Sequence, residues 1–224
     1  MRTIVIGDIH GRINSLIGVL ELSKYNPQND RLICIGDYVD GGAKAYEVVD
    51  YLLELDDISE RVNIFILGNH DKLFLDILEF DFESFRDRKI IEEIHWEWYN
   101  NGGMATYNSY LSRSDEDIIR HKNQFFNKLS YYYEEDNKLF VHAGYDFNTD
   151  IKKSYDSKKE ELLWDRHLYK SSITDHSDSM KKSQYGGYNK IILDILQPLF
   201  MEMIPHELDV MLSILTKDAK YMVS

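Results

Sequence analysis

Over the first third of the chain, apolar residues alternate between two spacings. Short apolar runs at residues 3–6, 32–35 and 62–67 read as buried strands. Between them, Ile13, Leu16, Ile17 and Leu20, and then Ala45, Val48, Val49 and Leu52, recur every three or four residues, as one face of a helix does. The first helix should end before Asn26-Pro27. Strand–helix–strand–helix–strand predicts a doubly wound start on a parallel sheet. Residues 71–80 return to helical spacing, and residues 90–99 predict a helix whose aromatics Trp96, Trp98 and Tyr99 pack onto the core. Asn101-Gly102-Gly103 should break that helix. Tyr131, Tyr132 and Tyr133 lead into a further strand at 138–140, and the polar stretch 170–188 reads as a loop or surface excursion.

Composition narrows this picture only modestly. The chain has 224 residues, 43% hydrophobic and 29% charged, ordinary for one globular domain with a sizeable core. No apolar stretch is long enough to span a bilayer and no secretory signal is visible, which suggests a cytoplasmic protein. Cys34, the only cysteine, excludes an internal disulfide and should be a plain buried thiol. A net charge of −13 argues against a nucleic-acid backbone or an anionic membrane as partner.

The chemistry collects where the strands end. Gly7-Asp8-Ile9-His10-Gly11 follows the first run, Gly36-Asp37-Tyr38-Val39-Asp40-Gly41-Gly42 the second, Gly68-Asn69-His70-Asp71 the third, and Val141-His142-Ala143-Gly144 the strand at 138–140. Each delivers Asp, Asn or His at a C-terminal strand end, where α/β folds place their sites. In this order the motifs resemble the calcineurin-like metallophosphoesterases, especially the bacterial and phage relatives of PPP-type serine/threonine phosphatases. Asn101-Gly102-Gly103-Met104-Ala105-Thr106 and Leu162-Leu163-Trp164-Asp165-Arg166 also fit the bacterial members.

The resemblance implies an α/β fold, a four-layer αββα sandwich with two central mixed sheets. It implies hydrolysis of a phosphate monoester by a metal-bound hydroxide at a binuclear centre. Asp8 and His10 would hold one metal, Asp37 would bridge both, and Asn69 and His142 would hold the other. Two divalent ions about 3.5–4 Å apart activate water and neutralise phosphoryl charge. Mixed Asp, His and Asn ligands suit Mn²⁺, Fe or Zn, with Mg²⁺ less suited because of the imidazoles. His70 would act on the leaving group, with Asp71 or Asp40 keeping it protonated. The expected substrate is a phosphorylated protein. The alternatives are a dinucleoside polyphosphate or other small phosphoester, and a catalytically impaired binding protein.

Two departures stand out. The family pattern has Arg after the second Asp of its second motif, and this chain has Gly41 there, so one phosphate clamp is missing or comes from elsewhere. Arg166 and Asn101 are the candidates for substrate contact. The second departure divides residues 1–192, the metallophosphoesterase domain, from an atypical tail at 193–224. Family members carry a further Gly-His-Thr, whose His completes the second metal site. Here the chain reads Leu193-Asp194-Ile195-Leu196-Gln197-Pro198, and His206 follows Pro205 in the wrong context. Four of the seven Met residues fall within 201–222. Permitted codons for residues 192–198 allow an alternate frame reading Ile-Gly-His-Thr-Ala-Thr, so the tail is hypothesised to be a frame-shifted ending. The gene sequence around codon 192 tests this, and an alternate frame without Gly-His-Thr sinks it.

Overall fold

The computed structural model describes residues 2–80, 82–135, 138–144, 151, 155, 158–165, 190–192 and 212–215. Strand β1 (Thr3–Ile6) runs parallel to β2 (Arg31–Cys34), and β2 parallel to β3 (Ile64–Phe65). The connections are helices α1 (Ile13–Leu22) and α2 (Ala45–Ile58), as the two apolar spacings predict. A strand from the tail, β7 (Leu212–Leu215), adds antiparallel to β1 and makes a mixed sheet in the order β3-β2-β1-β7. The second sheet is also mixed. Strand β4 (Tyr132–Glu135) pairs antiparallel with β5 (Lys138–Val141), and β5 pairs parallel with β6 (Lys190–Ile192).

Strand alternation sorts the layers. Ile4, Ile6, Leu32 and Cys34 point one way, into a core shared with Leu16, Leu20, Val48, Val49 and Leu52 of α1 and α2. Val5 and Ile33 point the other way and meet Phe140 of the second sheet. On that sheet's far side Leu139 and Val141 pack with Leu162 of α8 (Glu161–Trp164). Helix, sheet, sheet, helix is the expected four-layer order. Leu16 is fully buried, and Leu16→Ala should cost about 2–5 kcal/mol.

Three elements depart from the sequence reading. The strand predicted at 62–67 shrinks to β3, because Asn63 turns its side chain inward to accept the Leu32 N–H at 2.9 Å, and Val62 is left exposed. The helix predicted over 90–99 is two pieces, α4 (Arg88–Ile94) and α5 (Trp96–Trp98). Asp87 caps the first by accepting the Lys89 and Ile90 N–H groups. Trp98 and Tyr99 are buried as expected, but Trp96 is exposed. Third, α3 (Asn69–Phe80) starts at Asn69 and not at Asp71, so two site residues occupy its first turn.

Beyond Asn101-Gly102-Gly103 the chain re-enters helix as α6 (Met104–Leu111), followed by α7 (Asp115–Gln124). The break is real: Gly102 has φ 99°, and Gly103 lies so close to the Trp98 ring that a Cβ would meet it at 2.4 Å. The surface stretch expected at 170–188 lies outside the described residues, as do Arg166, His206 and most of the tail.

Candidate active site

The loops after β1 and β2 are zipped together by backbone. The Ile9 and His10 N–H groups donate to the Asp37 carbonyl at 2.9 and 2.8 Å, and the Gly11 N–H donates to Tyr38 at 2.9 Å. His10, Asp37 and Asp40 all adopt left-handed backbone, with φ 47°, 54° and 69°. Strain of this kind costs about 1–3 kcal/mol per residue and persists where the surroundings over-determine it. The loop after β3 closes on the same point because Gly68 has no side chain: a Cβ there would lie 2.1 Å from Asp37 Oδ1.

The geometry converges on Asp37. Its Oδ2 lies 3.7 Å from His10 Nε2 and 3.5 Å from His142 Nε2, and its Oδ1 accepts the His70 N–H at 3.0 Å. His10 Nε2 is also 3.4 Å from Asp8 Oδ2, and His142 Nε2 is 2.9 Å from Asn69 Oδ1. Asp8, Asp37, Asn69 and His142 are buried. Ligand atoms of Asp8, Asp37 and His142 lie within 4.8 Å of one another, as do those of His10, Asp37 and His70. All five residues nominated as metal ligands are thus brought together.

The tautomers decide what this cluster can hold. His10 Nδ1 lies 2.9 Å from the Val39 carbonyl and His142 Nδ1 lies 2.9 Å from the Ile35 carbonyl. A carbonyl only accepts, so each Nδ1 carries a proton, which in the neutral ring leaves the lone pair on Nε2. Those lone pairs face carboxylate and amide oxygens. Such a gathering of acceptors is relieved by cations set between them, and backbone-oriented imidazoles are what metal ligands have. Asp37 presents one oxygen, Oδ2, to both imidazoles.

His70 faces the cluster edge-on, its ring 5.0 Å from that of His10. Its Nδ1 donates to Asp40 Oδ2 at 2.7 Å. Burial lowers its pKa, yet the bond to Asp40 and the charges of Asp37, Asp40 and Asp71 raise it to about 9. Asp40 is itself buried, which pulls its carboxyl upward against the bonds from His70 and Thr106. The pair therefore keeps a proton at neutral pH. Of the two carboxylates expected beside His70, Asp71 is not the partner. Its oxygens accept N–H groups from Asp37 at 2.7 Å, Tyr38 at 2.8 Å and Gly68 at 2.9 Å, which ties the second motif to the third. Burial and the Asp37 charge push its carboxyl upward, and those amides pull against them.

Thr106 ends the Asn101–Thr106 motif, and the sequence alone assigns it no role. Fully buried at the start of α6, it accepts the Asp40 N–H at 2.7 Å and donates its hydroxyl to Asp40 Oδ1 at 2.7 Å. Only the spacing from the Gly-Gly break could have signalled this. Asn101 is exposed, and its neighbour Gly102 accepts the Gly41 N–H at 3.1 Å, so the motif touches the site loop through backbone. Cys34 is buried, which pushes its thiol up, as expected of an inert cysteine.

The sequence profile of the calcineurin-like phosphoesterases matches residues 1–197. Among curated proteins, the chain is 28% identical over 172 residues to a symmetrical bis(5'-nucleosyl)-tetraphosphatase of Pseudomonas fluorescens, covering 75% of this chain and 52% of that protein. It is 28% identical over 175 residues to one of Haemophilus influenzae, covering 73% and 52%. The chain spans about half the length of these relatives. Among solved structures, a protein serine/threonine phosphatase from Saccharomyces cerevisiae superposes with a TM-score of 0.50 at 18% identity, over 73% of this chain and 48% of that one, which speaks to the fold alone. With the matched profile spanning most of the chain and the four strand-end motifs meeting at one cluster, this protein belongs to the calcineurin-like phosphoesterase family.

Proposed function

We propose that the chain is a metal-dependent hydrolase of phosphoric esters or anhydrides, and that its substrate is a dinucleoside polyphosphate in preference to a phosphorylated protein. The sequence motifs alone favoured the phosphoprotein. The curated relatives tip the balance, since those reported above are bis(5'-nucleosyl)-tetraphosphatases. The observation that carries the hydrolase reading is the pair of Nε2 lone pairs set around Asp37 Oδ2. It weighs against the impaired-binder alternative, because no nominated metal ligand has strayed from the cluster.

Asp8, His10 and Asp37 would hold one divalent cation, and Asp37, Asn69 and His142 a second, with Mn²⁺ the expected metal and Fe, Zn or Mg²⁺ the alternatives. When bound, such cations activate water and neutralise phosphoryl charge. The remaining work falls to the chain. Protonated His70, oriented through Nδ1 by Asp40, gives its proton to the departing oxygen. Asp40 is held by Thr106 and does not touch substrate. Asp71 fixes the backbone that carries Asp37. Asn101, at the rim, contacts the substrate beyond the reacting phosphate. Arg166 would do the same, but it lies outside the described residues.

Turnover of diadenosine tetraphosphate and of a serine phosphopeptide, measured side by side with Mn²⁺, tests this reading. The account expects kcat/KM at least about 10-fold higher for the dinucleotide, a difference of about 1.4 kcal/mol in transition-state binding. The reverse order would return the substrate to the phosphoprotein class, and turnover of neither would support the impaired binder.

A further inference from the structure

Resting on the hydrolase reading, the question is which group of this chain neutralises the phosphoryl oxygens that the cations do not reach. Asp8, Asp37 and Asp40 leave the site rich in carboxylate, so a phosphate arriving there needs a cation from the protein. Beside the cluster runs a groove of about 500 Å³, lined by Gly11, Arg12 and Ser15 on one side and by Gly42 and Lys44 on the other. Arg12 and Lys44 are the cations that line it.

The two differ in what they lie beside. Lys44 Nζ is 3.1 Å from Glu47, and its side chain is 58% exposed. Arg12 leans inward. A Cβ built on Gly41 would lie 3.9 Å from Arg12 Nη1 and 3.8 Å from His10 Cβ. The guanidinium therefore borders the space a side chain at position 41 would enter, next to a nominated metal ligand. Arg12 also occupies the N-cap position of α1. The first turn of α1 holds no acidic residue, so the positive end of the helix opens onto the same groove.

We propose that Arg12 is the phosphate clamp of this site, a substrate-binding residue that supplies from the β1–α1 loop the guanidinium that Gly41 does not carry. Its planar fork suits two oxygens of one phosphoryl group, which an ammonium cannot match.

The test is calorimetric binding of inorganic phosphate to the Mn²⁺-loaded chain, with metal content and thermal midpoint measured on the same samples. Arg12→Ala should weaken phosphate binding about 10–100-fold, the usual worth of a charge-assisted bond, with metal content and midpoint unchanged. Arg12→Lys should recover only part of that loss. Gly41→Arg placed in the Arg12→Ala background should also recover part of it. Lys44→Ala should weaken binding less than about 3-fold, as expected of an exposed charge. Binding by Arg12→Ala within about 2-fold of the parent, or a larger loss from Lys44→Ala than from Arg12→Ala, overturns the assignment. So does a parent that binds no phosphate. A parent that binds phosphate through Arg12 but turns over no phosphoester would sink the hydrolase reading and leave the clamp standing.

Discussion

Two buried histidines show how differently this molecule uses one residue type. His142 and His121 both have side chains with no solvent exposure. At the strand ends, His142 gives Nδ1–H to a backbone carbonyl and turns Nε2 toward Asn69 and Asp37. In the helical layer, His121 of α7 stacks on Tyr46 at 4.4 Å, meets the Tyr110 hydroxyl at 3.0 Å and has Arg120 beside its Nε2 at 3.2 Å. Both of its nitrogens are used by neighbours of complementary character. Burial, helped by the Arg120 charge and opposed by Asp50, drops its pKa to about 4. Burial thus says little about whether a histidine is a ligand. What marks one is a nitrogen lone pair aimed at oxygens that have no proton to give it.

The comparison can be broken most severely at His70. If its proton serves the leaving group, His70→Asn should keep the metals and slow hydrolysis about 10²–10⁴-fold on a seryl phosphate. A nitrophenyl ester, whose leaving group needs little help, should lose less. Equal losses on both substrates would remove proton donation as the role. Next come the two carboxylates that the sequence left undecided. Asp71→Asn keeps one acceptor oxygen and takes the other from two of the loop amides, turning a donor toward them, so denaturant unfolding should show a loss of about 2–4 kcal/mol. Asp40→Asn should act mainly on turnover. A stable, slow Asp71→Asn beside an unstable, active Asp40→Asn would invert these assignments.

His121 sharpens the contrast through pH. Its folded pKa, about 4, lies below the unfolded value of about 6.5. The neutral form is therefore favoured by folding. This contribution is complete above about pH 6.5 and fades as pH falls toward 4, by about 1.4 kcal/mol per unit. Unfolding free energies of the parent should fall over this window, and those of His121→Gln should fall less steeply while metal content stays full. Parallel slopes would contradict the buried neutral state. The smallest effect is expected at Thr106, whose hydroxyl fixes Asp40 without touching substrate. Thr106→Val should lower kcat about 10-fold with KM little changed, and Thr106→Ser should restore it, since one hydrogen bond is worth about 1 kcal/mol. A loss that serine does not restore would point to packing.

These contrasts also mark what the sequence could reveal. The four strand ends were legible because apolar runs and glycine-flanked Asp, Asn and His are local signals, and each nominated metal ligand reached the cluster. The choice between Asp40 and Asp71 was not local. It depends on the left-handed turn at Asp40 and on a helix that starts at Asn69, which aims Asp71 back at the loop amides. Thr106 was hidden because 66 residues separate it from Asp40, and the bond between them forms only once α6 packs beside the Asp40 loop after the break at Gly102. Arg12 followed a recognised motif directly, yet its direction comes from the way the loop turns at His10 and Gly11, with φ 47° and 64°. Trp96 is exposed while Trp98 is buried, because residues two apart lie on opposite sides of a helix and cannot share one buried face. Of the tail, β7 joins the first sheet beside β1. The proposed frame shift remains a matter for the gene sequence.

The central claim is that Asp37 serves two cations at once. Metal analysis after reconstitution and dialysis tests it directly, on the parent, Asp8→Asn and Asp37→Asn, each checked for cooperative unfolding. The account predicts two equivalents of Mn²⁺ in the parent, about one in Asp8→Asn, and well under one in folded Asp37→Asn, since loss of a ligand weakens a site and loss of a shared ligand weakens both. Two equivalents retained by folded Asp37→Asn would contradict it.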